Sequence, residues 1–205
     1  MRPTSKPTAS LAVLIPVKSF AAAKLRLSPA LDGPARAELA RSMAGRVLAA
    51  AAPLPVAVVC DDPLVAAWAE RLGAEVVWRP GRGLNPAVTD GVAHLSRRGH
   101  RQVIVAHADL PLARSLAWVA DFDGVTLVPD RHGDGTNVAA VPTRAGFTFG
   151  YGAGSFARHR AEAVRLDLPL RVVREPRLGW DVDWPADLDL PEGLPVEPPV
   201  GARGT

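Results

Sequence analysis

Three aspartates and two lysines carry the most chemical information in this chain. Asp109 closes the run Arg101-Gln102-Val103-Ile104-Val105-Ala106-His107-Ala108-Asp109-Leu110-Pro111. Val103–Ala106 is short, apolar and β-branched, so it reads as a buried strand with a carboxylate just past its carboxyl end. Pro111 blocks further ladder pairing. In open α/β sheets, ligands bind outside the carboxyl ends of the strands. A carboxylate there can hold a hard cation such as Mg2+, which can hold a phosphate. A second acidic cluster, Asp181-Val182-Asp183, lies late in the chain. In extended backbone its two carboxylates share one side, and Pro185 can start a short helix containing Asp187. Asp109, Asp181 and Asp183 are the candidate metal ligands.

Of 24 Lys and Arg residues, only Lys6, Lys18 and Lys24 are Lys. The last two fall in Lys18-Ser19-Phe20-Ala21-Ala22-Ala23-Lys24-Leu25-Arg26-Leu27, directly after the first expected strand. Nucleotide-binding α/β folds place a phosphate loop there. A compact ammonium suits phosphate as a point charge, and Lys18, Lys24 and Arg26 could surround a triphosphate. From spacing alone, an exposed basic loop is an equal alternative. This is not a Walker loop, since the glycine pattern is absent.

Two further stretches could meet a ligand. Asp130-Arg131-His132-Gly133-Asp134-Gly135-Thr136-Asn137 is expected between two strands, where glycines permit close approach and Thr136 offers a hydroxyl. A polar hairpin turn is the plainer reading. Gly150-Tyr151-Gly152-Ala153-Gly154 then opens a helix with Ser155 as its expected N-cap and Arg158, His159 and Arg160 in its first turns. Cations oppose the positive end of a helix dipole, and a bound anion would reverse that sign. The pattern predicts a phosphate or carboxylate site there. The five histidines show no metal-ligand spacing, and no Gly-x-Ser-x-Gly elbow is present.

The elements that must position these groups alternate along the chain. Strands are expected at Leu11–Val17, Val56–Cys60, Ala74–Trp78, Val103–Ala106, Val125–Val128, Val138–Val141 and Arg171–Arg174. Helices are expected from Pro34 to about Ala51, over Pro63–Leu72, from a cap at Asn85-Pro86 to about Arg98, over Leu112–Ala120 and over Ser155–Leu166. Repeated βα units imply an α/β fold, a mostly parallel sheet with helices on both faces. The 205 residues suit one domain with a proper core. Residues 1–10 read as a frayed segment, 11–190 as the domain, and 191–205 as an irregular Pro/Gly-rich tail. A net charge of +3 fits small anionic substrates and is too weak to argue for nucleic acid. The single cysteine excludes an intrachain disulfide and fits a cytoplasmic protein. Arg2 and Lys6 before Leu11–Val17 mimic a short signal peptide, but Pro16 and Lys18 break that stretch early. No run approaches the ~18 apolar residues of a membrane span.

Taken in order, these motifs resemble the 2-phospho-L-lactate guanylyltransferases, including the phosphoenolpyruvate-specific bacterial members, of coenzyme F-420 biosynthesis. The resemblance runs from about Leu11 to Leu188. It rests on Pro16-Val17-Lys18 with Ala23-Lys24-Leu25-Arg26-Leu27, Gly83-Leu84-Asn85, Ala108-Asp109-Leu110-Pro111, Asp130-Arg131 with Gly135-Thr136-Asn137, Gly152 to His159, and Asp181-Val182-Asp183-Trp184-Pro185-Ala186-Asp187-Leu188. Leu25, Trp184 and Ala153-Gly154 depart from the family pattern. The resemblance implies a single-domain, three-layer nucleotidyltransferase fold like that of the nucleotide-diphospho-sugar transferases. It implies transfer of GMP from GTP to a small phosphorylated three-carbon acid, with pyrophosphate released and Mg2+ required. Lys18, Lys24 and Asp109 would be catalytic, with Arg26 and Asn85 also at the nucleotide. Thr136, Gly152 and Ser155 would bind the phospho-acid. Product could pass to the next pathway enzyme. Two alternatives stand beside this: a nucleotidyltransferase with another acceptor, such as 3-phosphoglycerate, a sugar phosphate or molybdopterin, and a non-catalytic nucleotide-binding regulator.

Overall fold

The computed structural model describes residues 11–191 and 193. The segment 1–10 and most of the tail 191–205 lie outside the described residues. Seven strands form one sheet: β1 (Leu11–Pro16), β2 (Val56–Cys60), β3 (Glu75–Trp78), β4 (Gln102–Ala106), β5 (Val125–Pro129), β6 (Thr136–Pro142) and β7 (Leu170–Val172). Their order is β3-β2-β1-β4-β6-β5-β7. β1, β2, β3 and β4 pair in parallel, β6 runs against both β4 and β5, and β5 pairs with β7 in parallel. Only β6 therefore runs against the rest. The chain leaves β1 for β2 on one side and returns from β3 to β4 on the other. The gap beyond the carboxyl ends of β1 and β4 is thus the switch point of the sheet, where ligands bind in open α/β folds.

Helices cover both faces: α1 (Gly33–Ala50), α2 (Pro63–Arg71), α3 (Leu84–Arg97), α4 (Ser155–Arg165) and the short α5 (Pro176–Gly179). Alternation along β1 shows the layering. Val13 and Ile15 join Ala44 and Val47 of α1 and Val65 and Ala69 of α2. Ala12 and Leu14 face the other way, with Val88 and Leu95 of α3 and Phe156 and Ala163 of α4. This is the expected α/β sandwich of three layers. Asp32 caps α1 by accepting from Ala35 N at 2.8 Å, with Pro34 in the first turn. Asp62 caps α2 through the N–H groups of Leu64 and Val65. No helix of the described residues is long and apolar enough to cross a membrane.

Several elements differ from expectation. The helix expected over Leu112–Ala120 is only a 3-10 turn, Ala117–Ala120. Leu110, Ala113, Leu116 and Val119 are buried at intervals of three, a period that suits a tighter winding than 3.6. β6 begins at Thr136, so Thr136 and Asn137 are buried strand residues rather than loop residues. Residues 130–135 are then the turn of an antiparallel hairpin, the plainer of the two readings. The last strand is Leu170–Val172, shorter and earlier than Arg171–Arg174. α3 starts after Gly83, whose φ of 69° only glycine adopts easily, so Asn85 sits inside the first turn and is not the cap.

Candidate active site

The loop after β1 is pinned at both ends. Phe20 packs edge-on against Trp68 with ring centroids 5.2 Å apart. Leu27, fully buried, joins Met43 of α1 and Val182 of the late acidic segment in a small core. Lys24 lies between these anchors in left-handed backbone, φ 54°. The Leu27–Val182 packing draws the loop onto the acidic segment, and Val182 N donates to Asp109 O at 3.2 Å. Val182 turns into that core, while Asp183 lines the cleft and Asp181, outside its lining, meets Asn137.

Lys24 is the junction. Its Nζ donates to Asp109 Oδ2 at 2.6 Å and to Asp183 Oδ1 at 3.0 Å. Arg26 adds a weaker pair, 3.5 Å to Asp183 Oδ2, and its guanidinium lies 4.9 Å over the exposed Trp184 ring. Lys18, Lys24, Arg26, Asp109 and Asp183 line one cleft of about 400 Å3, with His107 and Leu84. Burial disfavours the Lys24 ammonium, but the two aspartates outweigh it and hold its pKa above the ordinary value. Burial likewise raises Asp109, yet the charges of Lys24 and His107 bring its carboxyl below the usual range. Asp181 goes the other way: burial, then the negative charge of Asp109, raises it. An ionised Asp109 beside an Asp181 that resists ionisation is an arrangement that a cation between them would relieve.

The donor set fits such a cation. Asp109 Oδ1 is buried and has no hydrogen-bond partner, whereas Oδ2 serves Lys24. Mg2+ characteristically takes one or two carboxylates and fills its remaining positions with water and phosphate. Asp183 is engaged by Lys24 and Arg26, and no three His, Cys, Asp or Glu side chains converge into a ligand cluster among the described residues. The expected three-carboxylate set is therefore not gathered; Asp109 and Asp181 are the pair that fits.

Sequence reasoning missed the groups that hold the acidic turn. Asp187, 4% exposed, accepts from the N–H groups of Asp183 and Trp184 at 2.7 and 2.6 Å and from Arg131. Arg131 also donates to the Asp181 carbonyl at 3.0 Å. Asn137 Nδ2 reaches Asp181 Oδ1 at 3.3 Å and Leu178 O at 3.0 Å. Both belong to the 130–137 motif, but nothing in its spacing points 50 residues onward to Asp181.

Thr136, Gly152 and Ser155 come together, outside the lining of the cleft. Thr136 N donates to Ser155 Oγ, and Ser155 N to Gly152 O, each at 3.0 Å. Ser155 is not the N-cap: Gly154 holds that position in left-handed backbone. Asp134 instead satisfies the helix start, taking Gly154 N on its carboxylate and Phe156 N on its carbonyl. The charge mismatch behind the expected anion site is smaller than the sequence suggests, with Arg158 and the exposed Arg160 as its remaining cations. His159 is fully buried and accepts from Gly150 N through Nε2. Its proton therefore sits on Nδ1 and is donated to Thr136 Oγ1 at 3.0 Å. Burial, with the neighbouring positive charges, pushes its pKa down to about 4, so it is neutral. Arg158 folds back onto the carbonyls of Gly150 and Gly152. Asn85 follows the cleft residue Leu84 but is outside the lining itself, and its amide is held by the Tyr151 backbone: Oδ1 accepts at 2.7 Å and Nδ2 donates at 3.4 Å.

A switch-point cleft lined by a lysine-bearing loop and aspartates on this sheet defines a nucleotidyltransferase-like protein. Solved structures share the fold: a chain described as a nucleotide-diphospho-sugar transferase from Desulfovibrio desulfuricans (TM-score 0.69, 17% identity, 88% of this chain and 85% of that one). Another is the 4-diphosphocytidyl-2C-methyl-D-erythritol synthase of Anaerococcus prevotii (TM-score 0.56, 10% identity, 88% and 95%). The chain belongs to the guanylyl transferase CofC-like family, whose pattern matches residues 11–190, and is a guanylyltransferase. It is 38% identical to the phosphoenolpyruvate guanylyltransferase of Sphaerobacter thermophilus, over 92% of this chain and 94% of that one. It is 40% identical to the enzyme of the same name from Thermomonospora curvata, over 93% and 86%. Members of this class generally use a divalent metal.

Proposed function

We propose that this enzyme transfers GMP from GTP to phosphoenolpyruvate, with release of pyrophosphate, as a cytoplasmic step of coenzyme F-420 biosynthesis. The observation that carries the reading is Lys24, bonded at once to Asp109 and Asp183 at the switch point. It joins the expected phosphate loop to Asp109 and Asp183 in one cleft. The names of the relatives above support the choice of acceptor.

Both reactants are anions, so the main barrier to their approach is charge. Lys18, Lys24 and Arg26 take the triphosphate, and Asn85, fixed by Tyr151, lies at the nucleotide. Asp109 and Asp181 would hold Mg2+, which would supply further charge neutralisation; Asp183 orients Lys24. The acceptor lies against the exposed backbone at Gly152, on a frame that the buried Thr136 and Ser155 build with His159 and that the neighbouring Asn137 links to Asp181. An acceptor phosphate oxygen attacks the α-phosphorus, a new P–O bond forms, and the bond to the β-phosphate bridging oxygen breaks. No covalent enzyme nucleophile is required, because orientation and electrostatics do the work. The test is mass spectrometry of products from GTP, Mg2+ and a mixture of phosphoenolpyruvate, 2-phospho-L-lactate and 3-phosphoglycerate. A guanylylated phosphoenolpyruvate is the expected dominant product. Guanylylation of another acid alone would replace the acceptor, and absence of pyrophosphate would remove the reading.

A further inference from the structure

Arg131 does not line the cleft, yet it grips the acidic turn at three points. Nη1 donates to the main-chain carbonyl of Asp181 at 3.0 Å but stays 3.9 Å from that residue's Oδ1. Nη2 meets the Asp187 carboxylate. The guanidinium face lies 4.2 Å over the Trp180 ring, whose Nε1 donates to Asp187 O. Arg131 thus holds the backbone of Asp181 and leaves the carboxylate to other partners. Its charge is answered by Asp187, which in turn fixes the N–H groups of Asp183 and Trp184. Arg131 is itself held, since its own N–H donates to Gly179 O at 2.8 Å. Asp130 closes the hairpin turn by accepting from Asp134 N and Gly135 N.

We infer that Arg131 is a positioning residue of the transfer site: a clamp on the β5–β6 hairpin that sets Asp181 and Asp183 at a fixed distance from Asp109. The inference rests on the reading of Asp181 as a metal carboxylate. The clamp needs arginine rather than a cation in general. A planar guanidinium can donate from two nitrogens and stack on an indole at once, whereas an ammonium is a single point charge. Its closer ion pair is with Asp187, and its contact with the Asp181 carboxylate is the longer one, 3.9 Å, so its main contribution is geometric.

Arg131→Lys separates the two roles, since it keeps the charge and loses the fork. Mn2+ binding to the nucleotide-free enzyme, followed by electron paramagnetic resonance, reads the carboxylate geometry without turnover. Groups that orient metal ligands typically change affinity by about 10–100-fold when removed, and that loss is expected here with the melting temperature near wild type. Steady-state kinetics should show kcat falling more than the KM for GTP rises. Mn2+ affinity and kcat equal to wild type in Arg131→Lys would overturn the inference. Should that variant fail to fold, Asp187→Asn decides by the same criterion, as it weakens the clamp from the other side. Asp181→Asn is measured alongside. If it binds Mn2+ and turns over normally, the metal reading fails; if it is impaired and Arg131→Lys is not, the clamp fails alone.

Discussion

Lys24 Nζ lies 2.6 Å from Asp109 Oδ2 although 85 positions separate the two residues. The contact closes the cleft between the loop after β1 and the end of β4. Lys24→Met keeps the bulk of the stem and deletes the ammonium. The KM for GTP should rise more than that of the acceptor, and kcat/KM should fall by about 100- to 1,000-fold, the range for losing one preorganised electrostatic group. Michaelis constants for both substrates check this. A rise in the acceptor's constant alone would mean that the loop serves the other ligand.

His159 makes a prediction about pH. Burial depresses its pKa from the ordinary 6.5 to about 4. Between those values the unfolded chain binds the proton and the folded one does not, so stability rises with pH. The contribution is complete above pH 6.5 and drains as the pH falls toward 4. Its size is on the order of 3 kcal/mol across that window. Urea unfolding of wild type and His159→Gln at pH 7.5 and pH 5 isolates the effect from that of the carboxylates. The variant should show the shallower pH dependence, and equal slopes would contradict the assignment.

Two helical glycines should respond with opposite signs. A Cβ at Gly91 in α3 would stand 2.7 Å from Leu14 Cδ2, in the fully buried centre of β1. Overpacking of about 1–3 kcal/mol there outweighs the roughly 1 kcal/mol that alanine gains in a helix. Gly45 in α1 has nothing within 4 Å of the same position. Gly91→Ala should therefore lower the melting temperature and Gly45→Ala should raise it, by about 0.5–1 kcal/mol of stability. Calorimetry reads both, and a more stable Gly91→Ala would show that α3 can retreat from the sheet.

The sheet and the ends of its strands were legible because β-branched runs are bounded by Pro, Gly and charge. Those boundaries alone place Lys18 after β1 and Asp109 after β4. The partner of each polar group was not legible. Asn85 has the residue type of a cap, but its amide is captured by Tyr151, 66 residues away. His159 counts as a cation in the sequence and is neutral in the fold, because only tertiary burial sets its charge. Asp187 and Arg131 matter through one shared contact across 56 positions, which no local pattern encodes.

The central claim is that the cleft holding Asp109 is where GMP is transferred. Asp109→Asn preserves shape and one acceptor while removing the charge that faces Lys24 and the buried oxygen suited to a cation. The direct measurement is the rate of pyrophosphate release from GTP with Mg2+ and phosphoenolpyruvate, with the melting temperature recorded on the same samples. The rate should fall by at least ~100-fold while the variant remains folded; a folded variant that releases pyrophosphate at the wild-type rate would contradict the account.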